Sequence, residues 1–353
     1  MSQLFEVKEV DRTFYRDKLQ NFLPERIIDV HTHVWQGMKP SSVEKKIVAR
    51  TVSWPSMVAK INPIEDLINT YKLMFPDKEV TPLIFPTTPK PGQFDEMNRY
   101  VSDSASKHNI PALIFSHPTW SKEELERRIL DGKFLGIKSY LTATPSYLPT
   151  SEIRIYDFFP PAHLEVLDKL GMIVMLHIPR DQRLKDPVNL GQLLEIEERY
   201  TNLKLIVAHV GRAYCDEDVG NAFEVLANTE RMLFDFSANT NQKVFQRLIE
   251  TVGPKRILFG SDMPILRMRA RRVCEDGFYV NIVPKGLYGD VSADAHMREV
   301  EGDEAEKITF FIYEEMDAFR LAAEKTGLSK ADIEDVLYNN SNSINKSAVA
   351  RYI

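Results

Sequence analysis

Eight short apolar runs recur along this chain, each followed by a stretch of helical character, and that rhythm restricts the folds open to it. The runs are RIIDVH (26–31), VTPLIFP (80–86), PALIFS (111–116), FLGIKSY (134–140), MIVMLH (172–177), LKLIVAH (203–209), RMLFDFS (231–237) and RILFGSD (256–262). They are nearly continuous in hydrophobicity rather than alternating, as parallel strands buried on both faces are. Between them, NPIEDLINTYKLMFP spaces its apolar residues near a 3.6 period. SKEELERRIL opens on Ser121 as an N-cap with Glu124 three residues on, while PAHLEVLDKLG and VFQRLIETVG close on Gly171 and Gly253. Segment 305–338 should supply the last helix and then a short one from Ser329. Eight strand–helix units predict an α/β fold, most economically a (β/α)8 TIM barrel, with a doubly wound open sheet as the alternative.

Two stretches break the rhythm, residues 34–60 after the first strand and 264–304 after the eighth, and both read as insertions on the face where barrels carry their active sites. No repeat or linker divides the chain, so residues 1–353 read as a single domain with a barrel core over about 26–345. The 353 residues carry a net charge of −6, which argues against a nucleic-acid partner. No apolar run approaches the ~18 residues of a membrane span. The charged start MSQLFEVKEVDRTFYRDKL has no secretory h-region, so a soluble cytoplasmic protein is expected. Two cysteines, Cys215 and Cys274, without a C-x-x-C, predict neither a disulfide framework nor a thiolate zinc site.

The polar residues ending the runs carry the chemical information. The first run leads into His31-Thr32-His33, the fourth holds Lys138, the fifth and sixth end in His177 and His209, and the eighth ends in Asp262. Residues two apart on a strand face the same way, so His31 and His33 can converge while Thr32 turns aside. Singly, each has an ordinary structural reading; packing gives no reason for five of them at the same end of five strands. Of the remaining histidines, His108 reads as a helix C-terminal residue, His163 as an exposed helix residue, His296 as part of an irregular segment, and His117 as the end of the third strand. Motifs for serine hydrolases, zincins and phosphate loops are absent.

IDVHTH, GIK, LHIP, VAHVGR, ILFGSDMP and the closing ADIEDVLYNNSNSI together resemble the amidohydrolase superfamily of metal-dependent barrels, in particular its amidohydrolase 2 branch, which also contains decarboxylases. The resemblance runs in strand order over roughly residues 26–345 and leaves out the stretch after Asp262. It implies that His31, His33, His177 and Asp262 hold a divalent metal, most often one zinc per chain. It further implies that Asp262 and His209 handle protons and that a homodimer is a plausible assembly. A divalent ion lowers the pKa of a water toward neutrality and polarises a substrate oxygen. The strand-four lysine bridges two ions in some relatives; with one ion, Lys138 would instead face a substrate carboxylate. Arg180 and Arg212, which follow strands five and six, could pair with the same group, and Trp35, Tyr140 and the run RMRARR (267–272) are possible pocket walls, although a solvated surface is the plainer reading of that run. The expected activity is hydrolysis of an amide, ester or lactone of a small substrate. A lyase acting by decarboxylation or hydration is the alternative, and a decayed, non-catalytic barrel is disfavoured because no ligand position is replaced.

Overall fold

The computed structural model describes residues 4–37, 55–350 and 352. Eight parallel strands run in chain order: β1 (Arg26–His33), β2 (Glu79–Phe85), β3 (Ile114–Phe115), β4 (Gly136–Lys138), β5 (Ile173–Leu176), β6 (Lys204–Val207), β7 (Leu233–Asp235) and β8 (Ile257–Leu258). β3 to β8 form one continuous parallel sheet, and β1 pairs with β2. Backbone bonds close the two remaining seams. Ile84 N–H donates to Pro111 O and Leu113 N–H to Ile84 O across β2 and β3; Val30 N–H donates to Phe259 O and Asp262 N–H to His31 O across β8 and β1. The result is the closed (β/α)8 barrel.

A helix follows each strand: α1 (Ile64–Met74), α2 (Phe94–His108), α3 (Lys122–Asp131), α4 (Pro161–Leu170), α5 (Pro187–Arg199), α6 (Ala222–Leu226), α7 (Gln242–Val252) and α8 (Phe311–Thr326). Ser121 Oγ accepts from Glu124 N–H at the start of α3, and Gly171 ends α4 at φ 67°, which a glycine adopts without steric cost. Alternation along the strands builds two apolar layers. Ile173 and Met175 of β5 join Ile28, Leu83, Leu113, Ile206 and Leu258 inside the barrel, whereas Val174 and Leu176 pack outward in the cluster shared with the helices. A C-terminal helix, Asn340–Val349, sets Ala348 and Ile344 against the inner cluster, Tyr352 beyond its end joins them, and Arg26 at the start of β1 stacks on Tyr338. That end of the barrel is plugged by apolar side chains.

The opposite end carries the segments between elements. Of the stretch 34–60, residues 38–54 lie outside the described residues. The stretch 264–304 forms a small sheet, with β9 (Arg271–Glu275) antiparallel to β10 (Phe278–Pro284), and β11 (Met297–Val300) parallel to β10. Three expectations are corrected here. The run RMRARR is not a solvated surface: Arg269 is buried in a bidentate pair with Asp11, and Arg272 stacks on Tyr214, Tyr279 and Phe311, leaving Arg271 exposed beside Glu304. Cys215 and Cys274 form a disulfide, which a separation of 59 positions and the absence of a motif could not signal. His163 is fully buried, with Nε2 on Trp120 O, because it lies on the inner side of α4 with Leu164 and Leu167. Among the described residues no helix is long and apolar enough to cross a membrane.

Candidate metal centre

The histidines stand where the strands end, and the backbone turns sharply to place them. His209, Val210 and Arg212 after β6, Ala238 after β7 and Asp262 after β8 all have φ between 49° and 61°. This is a left-handed conformation that non-glycine residues adopt at a cost and that gathers at functional sites. β1 reaches its ends by another route. Its register on β2 slips between Asp29 and Thr32, a bulge that re-aims the following side chains. Val30 belongs to the inner cluster, yet its neighbour His31 also faces inward, toward Phe85 and Asp235, while Thr32 turns its hydroxyl to Leu83 O. Gly260 permits this approach, because a Cβ there would stand 2.8 Å from that of His31.

Two sets of three donors come within 4.8 Å of one another among the described residues, His31/His33/Asp262 and His31/His209/Asp235. They differ in what else their atoms do. In the first set His31 Nε2 and His33 Nε2 lie 3.6 and 3.1 Å from the same oxygen, Asp262 Oδ1. Donors sharing one tetrahedral ion at ordinary bond lengths stand about 3.4 Å apart. The far side of each ring is engaged, His31 Nδ1 by Asp235 Oδ2 at 3.0 Å and His33 Nδ1 by the Pro86 carbonyl at 3.0 Å, so protons on Nδ1 leave both Nε2 lone pairs free. These residues fit a divalent ion.

The second set is closed by hydrogen bonds. Asp235 Oδ1 accepts from His209 N–H, Ser237 N–H and Ser237 Oγ–H, and Oδ2 is taken by His31. His209 Nδ1 donates to Ser237 O at 2.9 Å, leaving Nε2 unprotonated in the neutral ring. Asp235 is thus the residue that orients His31 and seats the His209 turn. It lay in plain view in RMLFDFS, where Asp235 and Ser237 share the two-residue spacing of the histidine pair.

The other anticipated residues divide. His177 belongs to neither set; its ring lies 5.3 Å from that of His209 and 4.6 Å from that of Tyr140, with Nε2 3.4 Å from the Tyr140 hydroxyl and a buried Nδ1 that has no hydrogen-bond partner among the described residues. Lys138 is buried with its ammonium 5.6 Å from the Phe85 ring centre. Arg180 is paired with Asp186 at 3.0 Å, and Arg212 donates to the carbonyls of Ile178, Pro179 and Arg180, so both arginines serve the loop after β5. The Trp35 indole N–H is spent on Lys60 O.

Burial and charge shape the titration of these groups. Burial pushes His31 down to about 4 against the pull of Asp235, and it also lowers His209 and, with Arg212 adding to it, His177. Burial pushes Asp262 up, but the contact with His33 and the nearby imidazoles outweigh it and hold the carboxyl at about 2. Asp235 is held below the usual carboxylate range in the same way, chiefly by His31. Lys138 is pushed down to about 8 by burial, opposed by Asp262 and Asp235.

A family model described as Amidohydrolase matches residues 28–342. The barrel is similar to the structure of an amidohydrolase 2 from Bifidobacterium longum subsp. infantis, at 16% identity and a TM-score of 0.52, covering 92% of this chain and 99% of that one. It is also similar to a probable 2-pyrone-4,6-dicarboxylic acid hydrolase from Acinetobacter baumannii with citric acid bound (16% identity, TM-score 0.51, 91% and 99% covered). A dihydroxybenzoic acid decarboxylase from a Polaromonas species, with bound manganese and the inhibitor 2-nitroresorcinol, matches at 15% identity and a TM-score of 0.50, covering 92% and 97%. No curated protein matches the chain.

Proposed function

Since the chain belongs to the amidohydrolase family, we propose that it is a divalent-metal-dependent hydrolase that opens an amide, ester or lactone bond of a small, carboxylated substrate. The observation that carries this reading is the convergence of two imidazole Nε2 atoms on one oxygen of Asp262, with the far side of each ring engaged. His31, His33 and Asp262 would hold the ion with His177, whose buried Nδ1 lacks a partner, as the fourth residue. A bound ion would supply a water of lowered pKa and polarise the substrate oxygen. Three imidazoles and a carboxylate suit zinc or another first-row ion. One ion per chain agrees with the hydrogen bonding of Asp235, whose two oxygens are both engaged by protein donors.

The chain's own groups then divide the proton work. Asp262 stays ionised and accepts the proton of the attacking water. His209, its Nδ1 proton committed to Ser237 O, offers Nε2 as the second acceptor and can return a proton to the leaving group. Lys138 places a cation on the floor of the site, where a substrate carboxylate would meet it. Arg180 is held by Asp186, while Arg212 is anchored through Nη1 and its charge still reaches His177, so a lone guanidinium rather than a ring of them would meet a carboxylate, which favours water chemistry over decarboxylation of a ring carboxylate. The lyase is the second reading, supported by Phe85, Tyr140 and Tyr214 beside the histidines.

The test is an elemental analysis of ions per chain, followed by assays of the metal-loaded protein on ester, lactone and amide panels with carbon dioxide release followed in parallel. Hydrolysis that depends on the ion supports the reading. Carbon dioxide release without hydrolysis transfers the protein to the lyases, and absence of any stoichiometric ion defeats both.

A further inference from the structure

The disulfide is a feature near the centre that the proposed chemistry does not use. Cys215 lies six residues past His209 and is fully buried; Cys274 is exposed on β9. The bond joins the loop leaving β6 to the sheet of β9 to β11. Between its ends sits a packed group of rings. Tyr214 has its ring centre 6.4 Å from that of His209 and 5.1 Å from that of Tyr279 on β10, and the Arg272 guanidinium on β9 lies 4.7 and 4.4 Å from the two tyrosine rings. Cys274 Sγ is 3.3 Å from Tyr214 O, so the cross-link holds the strand that carries Arg272 directly against the loop that carries Tyr214.

We propose that Cys215–Cys274 is a thiol-exchange site, and that its reduction by a dithiol releases the β9–β10 wall from the rim of the metal centre. The asymmetry of exposure sets the course of the reaction. A reductant thiolate can reach only Sγ of Cys274; the S–S bond breaks, its electron pair passes to Cys215 Sγ, and that sulfur takes up a proton. The second thiolate of the dithiol then displaces Cys274 Sγ, which is protonated in turn. The protein disulfide gains two electrons and two protons, and the dithiol becomes a disulfide. After reduction the wall keeps the Arg272 bonds to Ala238 O and Asn281 Oδ1, so it loosens without unfolding. In a reducing compartment such a bond is transient and regulatory, while in an oxidising one it is permanent.

The clamp stands apart from the hydrolase reading; only its effect on the ion rests on that reading. Peptide mapping of the air-oxidised, unreduced full chain should find residues 215 and 274 cross-linked. Hydrogen exchange on the metal-free protein should then show segment 271–283 exchanging at least about 5-fold faster after dithiothreitol, with β4 to β6 unchanged. Cys274→Ser should show the fast pattern without reductant and ignore its addition. In metal-loaded protein without thiols, pyridine-2,6-dicarboxylate should extract the ion several-fold faster from Cys274→Ser than from the parent. Free thiols in the oxidised protein, or exchange indifferent to reduction, would overturn the clamp. Equal extraction rates would overturn its link to the centre. A protein that holds no ion defeats the hydrolase reading alone, since mapping and exchange need no metal.

Discussion

Asp235 and Asp262 end neighbouring strands, are both buried, and both touch His31, yet they occupy opposite situations. Each oxygen of Asp235 is taken up by protein donors. Among the described residues, Asp262 Oδ1 faces two imidazole nitrogens that bind nothing else. A saturated carboxylate orients its neighbours, and an unsaturated one can still take a ligand. The two sets of donors share their spacing and differ in what their carboxylates already bind.

The contrast breaks most visibly at Asp262. Asp262→Ala should abolish stoichiometric zinc, with affinity falling at least ~100-fold in a competitive chelator titration, while the metal-free melting temperature moves little. Asp235→Asn should show the converse balance. Ion affinity falls roughly 10-fold to 100-fold through the lost orientation of His31, and urea denaturation registers a loss of about 2–4 kcal/mol because buried donors lose their acceptor. If Asp262→Ala destabilises more than Asp235→Asn, the assignment of roles is reversed.

Gly260→Ala separates geometry from ligand chemistry. The added Cβ meets that of His31 at 2.8 Å, so we expect about 1–3 kcal/mol of destabilisation and an ion affinity lowered by about an order of magnitude with every ligand intact. In metal-free protein, His31 has a folded pKa lowered to about 4, below the ordinary 6.5, so the unfolded chain takes up the proton first. His31's contribution is therefore intact above pH 6.5 and is lost as pH falls toward 4, which a melting-temperature series should show and His31→Gln should flatten. The smallest effect is expected at Lys138. Lys138→Met should leave the ion bound and raise KM for carboxylated substrates about 10-fold, with neutral esters unaffected.

The barrel was legible because each strand is a compact apolar word with a helical phrase after it: β3 to β8 fall within their runs, and β1 and β2 overrun theirs by two residues and one. His31, His33 and Asp262 could be read from position, since strand-end polar residues have no packing excuse. Asp235 was passed over because RMLFDFS reads as core, and an acid inside an apolar run announces its importance only when its partners in β1 and β6 are known. His163 sits in a helix whose inward face the sequence could not choose. The arginines of 267–272 looked like a surface because the rings that cover Arg272 come from positions 214, 279 and 311, far along the chain. The disulfide was hidden for the same reason: proximity across 59 residues belongs to the fold.

Val210, next to His209, is a β-branched residue at φ 49°, a conformation costing roughly 1–2 kcal/mol for such a side chain. Its side chain is fully buried in the core shared with the helices, so glycine there would remove the penalty but forfeit about 1.5–3 kcal/mol of burial and should give a weaker protein. The same change would also free the hinge on which His209 is mounted, so the buried valine is what holds this strained turn in place, and engineers of this barrel should leave it alone.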